Sequence, residues 1–114
     1  MADVLKPTKT VAIGATSTEL LSAVVGGTSI INMLQIGNVD GTNDATFDLS
    51  INTAGGGDTA VMTSITVAAG KSVIVYSPSN GKVYLTDAGT PDTIDATASA
   101  ASDLVATITY IERT

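Results

Sequence analysis

The sequence predicts an all-β protein: an antiparallel β-sandwich of the jelly-roll or immunoglobulin-like type, with about eight strands. Short runs of β-branched and aromatic residues recur along the chain, and turn residues separate them every several positions. Residues 45–54 alternate strictly between apolar and polar side chains, as a strand with one wet face does. A parallel α/β fold is disfavoured because the chain offers no crossover helix of adequate length.

The first half of the chain predicts three strands. Residues 8–14 alternate and form the first. Residues 17–25 fit either a helical turn capped by Ser17 or Thr18 or a strand, and we favour the strand because both neighbouring segments are β. The apolar run 29–37 predicts a central strand buried on both faces.

The second half predicts further strands joined by tight turns. After a turn at 40–44, residues 45–54 place Phe47 and Leu49 on the core face. Strand 59–68 follows a glycine-rich tip at 55–58 and is predicted to alternate, with Val61, Thr63, Ile65 and Val67 on one face. The turn 68–71 leads to strand 72–76. Residues 77–81 predict a hairpin to strand 82–86, because Pro78 and Asn80-Gly81 favour a tight reversal. A loop at 87–92 precedes strands 93–98 and 104–111.

The length of 114 residues indicates one domain with a single core. We assign residues 8–114 to the sandwich and residues 1–7 to an N-terminal arm. Chain termini are commonly ordered only where they are tied down. We therefore expect the arm to be ordered only when a partner docks it.

Composition argues against several classes of function. The net charge is −6 and the five cationic side chains are scattered, so we predict no nucleic-acid partner. No apolar run approaches the roughly 20 residues of a membrane span, so we predict no membrane partner. The N-terminal residues lack the basic and apolar regions of a secretory signal, which predicts synthesis in the cytoplasm.

The chain also lacks the residues that enzymes most often use for catalysis. The chain has no Cys and no His, which removes thiolate chemistry and the commonest general base. Gly55–Gly57 has neither the Lys-Ser/Thr pair nor the following helix of a phosphate loop. We predict that the protein is not an enzyme and holds no cofactor.

Acidic turns raise the question of a metal ion. Asp40 and Asp44 share one turn with Asn43, and Asp92 and Asp95 flank Ile94. Oxygen ligands of this kind bind Ca²⁺, but Asx residues are also ordinary turn formers and no Glu completes the set. We predict plain turns and no metal.

Two regions are candidates for binding a partner. Tyr76 and Tyr84 flank the predicted hairpin, where they either form an exposed pair that stacks on a ligand or pack against each other across the strands. Flat β-rich strands with few charges also leave edges that invite pairing, so we expect the edges to be covered by the arm or by another subunit. The candidate partner-binding residues are Ala2, Asp3, Val4, Leu5, Lys6, Pro7, Tyr76 and Tyr84.

Four segments resemble the small all-β virion proteins of tailed phages. They are residues 66–76, with the Ala-Ala-Gly-Lys turn, residues 81–85, residues 94–99, and the final alternating strand 105–112 that ends in Glu112. The Ile36-Gly-Asn38 stretch is similar to their Asn-containing loop. The resemblance covers residues 28–112 and departs from the pattern at Ala68, where the family has Pro.

This resemblance implies a structural protein of the phage particle. The first expectation is a capsid decoration (cement) protein that binds the major capsid protein, as a homo-oligomer and most naturally a homotrimer. A neck, tail or receptor-binding component of the virion is the alternative within the same class. A carbohydrate-binding module is the alternative from another class, and Tyr76, Tyr84 and the Asp-rich turns are its evidence.

Overall fold

The computed structural model describes residues 3–53, 57–77 and 83–114, and these residues form ten β-strands in two antiparallel sheets. The all-β prediction is confirmed. The strands are β1 (Asp3–Leu5), β2 (Lys9–Ile13), β3 (Thr18–Ser22), β4 (Thr28–Asn38), β5 (Ala45–Thr53), β6 (Gly57–Val67), β7 (Ser72–Tyr76), β8 (Val83–Thr86), β9 (Thr93–Ala98) and β10 (Leu104–Arg113).

The topology is that of a jelly roll. The six-stranded sheet has the order β1-β10-β4-β7, with β2 also paired to β10 and β8 also paired to β4; the four-stranded sheet has the order β3-β9-β5-β6. Strands β1 and β2 lie end to end along β10, and β7 and β8 lie end to end along β4. Counting each of these pairs as one interrupted strand gives eight strands in the orders 1-8-3-6 and 2-7-4-5, the double Greek key of a jelly roll.

The predicted hairpin between residues 72–76 and 82–86 is wrong. Both strands pair antiparallel with β4, so they run in the same direction and do not pair with each other. Turn residues 78–81 and Lys82 lie outside the described residues. Local turn chemistry suggested a reversal, whereas β4 is long enough to bind the two short strands one after the other.

The core lies between the two sheets and is almost wholly aliphatic. Its alternation in β5 and β9 follows the sequence prediction, and the ambiguous segment 17–25 contains the strand β3. The largest fully buried side chains are Phe47, Ile13, Leu20, Ile31, Leu34, Ile36, Leu49, Leu85, Ile94, Leu104, Ile108 and Val67.

Two strands differ from their predicted patterns. β4 is central in its sheet, but it is not buried on both faces, since Met33 and Gln35 are half-exposed on the side away from the core. β6 does not alternate as predicted, because two irregularities interrupt its register with β5. These irregularities let Met62 and Ile65, three positions apart, both pack against the core.

The acidic turn at 40–44 is a hydrogen-bonded Asx turn. The Asp40 carboxylate accepts bonds from the backbone N–H groups of Thr42 and Asn43 and from the Asn43 side chain, and these bonds lower the pKa of Asp40. In the described part of the chain there is no helix long and apolar enough to cross a membrane.

Candidate interaction surface

The outer face of the six-stranded sheet carries an apolar row that crosses four strands. Leu5 lies opposite Ile111, Ile111 opposite Ile30, and Ile30 opposite Tyr84. Residues directly opposite in antiparallel strands project from the same face, so these four side chains form one row, which we call the apolar row. Leu5 is 73% exposed and Tyr84 is 58% exposed, whereas Ile30 between them is only 4% exposed.

The row faces outward because of the alternation in β4 and β10. Ile31 and Leu85 point into the core, so their neighbours Ile30 and Tyr84 point away from it. In β10 Ile108 and Tyr110 face the core, which leaves Ile111 on the outer side; the irregularity after Thr109 adds its extra residue, Asn32, to β4. The near-continuous apolar run of β4 therefore serves two faces, one in the core and one on the surface.

The same face extends further along the sheet. Gln35 pairs with both Thr107 and Ile74, and Ile74 is 59% exposed. The Gln35 Nε2 donates a 3.0 Å hydrogen bond to the Ser72 hydroxyl, so its polar end is held within the sheet. Ile74 and the half-exposed Met33 are therefore apolar positions set among polar side chains in this part of the face.

At one end of this face, Asp3 and Arg113 form an ion pair. The Arg113 guanidinium donates to both carboxylate oxygens of Asp3, with Nε–Oδ1 and Nη2–Oδ2 distances of 2.7 and 2.9 Å. This bidentate pair lowers the pKa of Asp3 and raises that of Arg113. Because the two charges neutralise each other, this end adds no net charge to the face.

The outer face of the four-stranded sheet is different in character. Its outward positions in β5 and β9 are Thr, Ser, Asn and Asp, and the described residues place no large apolar side chain among them. Glu19 lies opposite Asp95, and Asp48 lies on the same face in the next strand. We call the outer face of the six-stranded sheet the apolar face, after the apolar row that crosses it between polar Thr and Gln positions. Its described residues carry no net charge, whereas the outer face of the four-stranded sheet carries acidic side chains in β3, β5 and β9.

The N-terminal candidates lie within the sheet. Asp3, Val4 and Leu5 form β1 on the chain's own β10, and the Lys6 ammonium lies 3.5 Å from the Glu112 carboxylate. Pro7 joins β1 to β2, and Ala2 lies outside the described residues. The edge of β10 supplies backbone partners for residues 3–5, and the expectation that the arm is ordered only when a partner docks it stays a prediction.

The two tyrosines are not brought together. Tyr84 projects from the outer face, whereas Tyr76 lies opposite the buried Leu34 and packs against the core. Its partial burial raises the pKa of the Tyr76 hydroxyl. They form neither an exposed pair nor a cross-strand pair, because their strands pair with β4 and not with each other.

The acidic residues act as caps for backbone N–H groups. Asp44 accepts a bond from the N–H of Ala69, and Asp87 accepts bonds from Gly26 and Gly89, which lower its pKa. Over residues 3–53, 57–77 and 83–114, no three acidic side chains converge to hold a metal ion, and no pocket is present.

Sequence reasoning missed that Ile30, Ile111, Met33 and Ile74 project from the outer face of the six-stranded sheet, where Ile30 is covered by its neighbours. Each is an apolar residue in a strand rich in apolar side chains, and in the sequence it cannot be distinguished from a residue that faces the core. Only the strand register shows that they share a face with Leu5 and Tyr84.

No protein-family model matches the chain, and searches of curated proteins and of solved structures give no significant match.

Proposed function

We propose that this protein is a structural component of a tailed-phage virion, and specifically a capsid decoration (cement) protein. It would be made in the host cytoplasm and bind the major capsid protein, stabilising the head by non-covalent contacts between shell subunits. The observation that carries the proposal is the difference between the two outer faces: one is crossed by the apolar row and carries no net charge, and the other carries Glu19, Asp48 and Asp95. A protein that covers a surface needs one side that binds and one that stays hydrated.

The size of the apolar outer face suits such a contact. Four strands spaced about 4.8 Å apart, and eleven residues of β4 rising about 3.3 Å each, give the whole face, its polar positions included, an area on the order of 600–700 Å². A standard protein–protein interface buries about 800 Å² on each partner. Soluble monomers rarely expose large contiguous apolar patches, and such patches usually mark interaction sites.

The resemblance of residues 28–112 to small phage virion proteins supplies the biological setting. Jelly rolls occur in viral capsid and lectin domains alike, so the fold by itself does not choose a function. A neck or tail position would use the same apolar face, and copy number separates it from the head. Homotrimers at local three-fold positions of a shell are the natural arrangement for a decoration protein, because symmetry multiplies a modest contact.

Quantitative mass spectrometry of purified particles tests the proposal, with the major shell protein as the internal reference. A ratio near one copy per shell subunit supports a decoration protein. A ratio of a few per cent moves the protein to the neck or tail, and its absence from particles refutes a virion role.

A charge on the apolar face should weaken shell binding. Tyr84→Asp places a carboxylate in the apolar row, where contact with the shell would desolvate it without a partner. We expect affinity for shells that lack the protein to fall by roughly 30-fold or more, as a loss of about 2 kcal/mol implies. Co-sedimentation with such shells measures it.

Thr66→Asp is the matched control for that experiment. Thr66 is exposed on the outer face of the four-stranded sheet, opposite Thr46, so it adds the same charge on the other side of the sandwich. Equal binding by the two variants would show that the apolar face is not the docking surface.

A carbohydrate-binding module is the second candidate, because Tyr84 presents an exposed aromatic ring on a jelly roll. Aromatic faces stack on sugars. A glycan array would show binding that Tyr84→Ala abolishes, and a blank array would dismiss this function.

A further inference from the structure

We propose that β1 is an exchangeable strand: in assembled protein, residues Asp3–Leu5 of one copy pair with residues Ile111–Arg113 of a second copy. The occupant of the β10 edge would then be the β1 of a neighbouring chain. This proposal concerns contacts between copies of the chain and does not depend on a place in the virion.

β1 is weakly held on its own chain. All three of its residues are exposed, and Leu5 buries little of its side chain. Its attachments are three backbone register pairs, the exposed Asp3–Arg113 and Lys6–Glu112 pairs, and a 3.1 Å bond that the Lys6 N–H donates to the Tyr110 carbonyl. The bidentate Asp3–Arg113 pair is the strongest of these contacts, while β1 buries little apolar surface and its ordering costs backbone entropy, so we expect β1 to be released more readily than the longer strands.

The linker favours presentation of β1 to a neighbour. Three residues, Lys6-Pro7-Thr8, separate it from β2. Pro7 fixes its own φ and restricts Lys6 to extended conformations, so the linker is stiff. A released β1 therefore projects from the end of β2.

Every contact of β1 can form between two chains. The Asp3–Arg113 fork, the Lys6–Glu112 pair and the backbone ladder all join β1 and its flank to β10, and none requires that the two belong to one chain. Exchange also brings Leu5 of one copy beside Ile111 of the other, so a neighbour completes the apolar row. If two copies each give their β1 to the other, they form a closed dimer. If each copy gives its β1 to the next copy around an axis, they form a ring.

Cysteine cross-linking tests the exchange directly, because the chain has no cysteine of its own. Leu5 and Ile111 are register partners, so Leu5→Cys protein mixed with Ile111→Cys protein has its two thiols held side by side only when β1 crosses between chains. We expect the disulfide-linked heterodimer to accumulate severalfold above a mixture of Thr66→Cys and Ile111→Cys. A yield no higher than this control would overturn the proposal.

Charge exchange provides a second test that does not use cysteine. Asp3→Arg and Arg113→Asp each place like charges together within one chain, while a mixture of the two variants restores opposite charges only between chains. Light scattering should show that each variant alone is monomeric and that the mixture forms a larger species. A mixture that stays monomeric at the concentration where the unmodified protein assembles would contradict the exchange.

Discussion

At the scale of single residues, Asn38 shows how a polar side chain organises one end of the sandwich. It is 4% exposed at the end of β4. Its Nδ2 donates to the carbonyls of Asn43 and Val67 at 2.9 and 3.0 Å, and its Oδ1 accepts from the Asp40 N–H. These bonds tie β4 to the following turn and to β6 in the other sheet.

Replacing Asn38 with Ala should destabilise the fold by about 2–4 kcal/mol, because it leaves the buried Val67 carbonyl without this donor and removes two further bonds. Urea denaturation measures the loss. Asn52→Ala, on the outer face of β5, is the control and should change stability by less than about 0.5 kcal/mol. Similar losses for both variants would argue against this role of Asn38.

At the scale of elements, the outer strands of both sheets are interrupted or irregular. The six-stranded sheet is bounded by the broken pairs β1/β2 and β7/β8. In the four-stranded sheet, the register of both β3 and β6 shifts against its neighbour. Interrupted and irregular edge strands pair poorly with strands of other chains. The expectation of an oligomer therefore rests less on open edges than on the apolar face and on β1.

The irregularity in β6 holds Ser64 at a φ of 53°, and its N–H donates a 2.7 Å bond to the Asp48 carboxylate. Since a side chain at positive φ is strained, Ser64→Gly should leave stability unchanged or raise it by up to about 1 kcal/mol. Thr66→Gly, two residues further along the same strand at a position without positive φ, should lower it by about 1 kcal/mol. Thermal unfolding compares them, and equal losses would show that the backbone at Ser64 is unstrained.

At the scale of the whole molecule, charge is spread unevenly over the sandwich. The acidic outer face and the acid-capped turns account for much of the net charge of −6, whereas the apolar face is neutral. Self-repulsion therefore acts mainly on the acidic side, and an approaching surface meets least charge at the apolar row.

Stability should be nearly constant from about pH 5 to pH 9, because the chain has no His. The pKa values of Asp3, Asp40 and Asp87 are lower in the folded protein than when unfolded. Their contribution is complete above the unfolded value of about 4 and is lost as the pH falls through the folded values. The raised pKa of Tyr76 predicts a decrease above about pH 10.

Urea midpoints measured across this range test the profile. Asp87→Asn cannot titrate, so its midpoint should fall less steeply below pH 4 than that of the unmodified protein. A sharp transition between pH 6 and pH 8 would contradict the profile.

The sequence by itself determined the fold class, the single core and most strand positions, because alternation and turn chemistry are local properties. It determined that Phe47 and Leu49 face the core, since a strand with one polar face leaves no choice. Only the tertiary structure decided the jelly-roll pairing, the end-to-end placement of β7 and β8, and the attachment of β1 to β10. It also decided that Ile30 and Ile111 point away from the core, on the outer face of the six-stranded sheet. Pairing is non-local, and an apolar strand with two apolar faces does not reveal which face the second sheet covers.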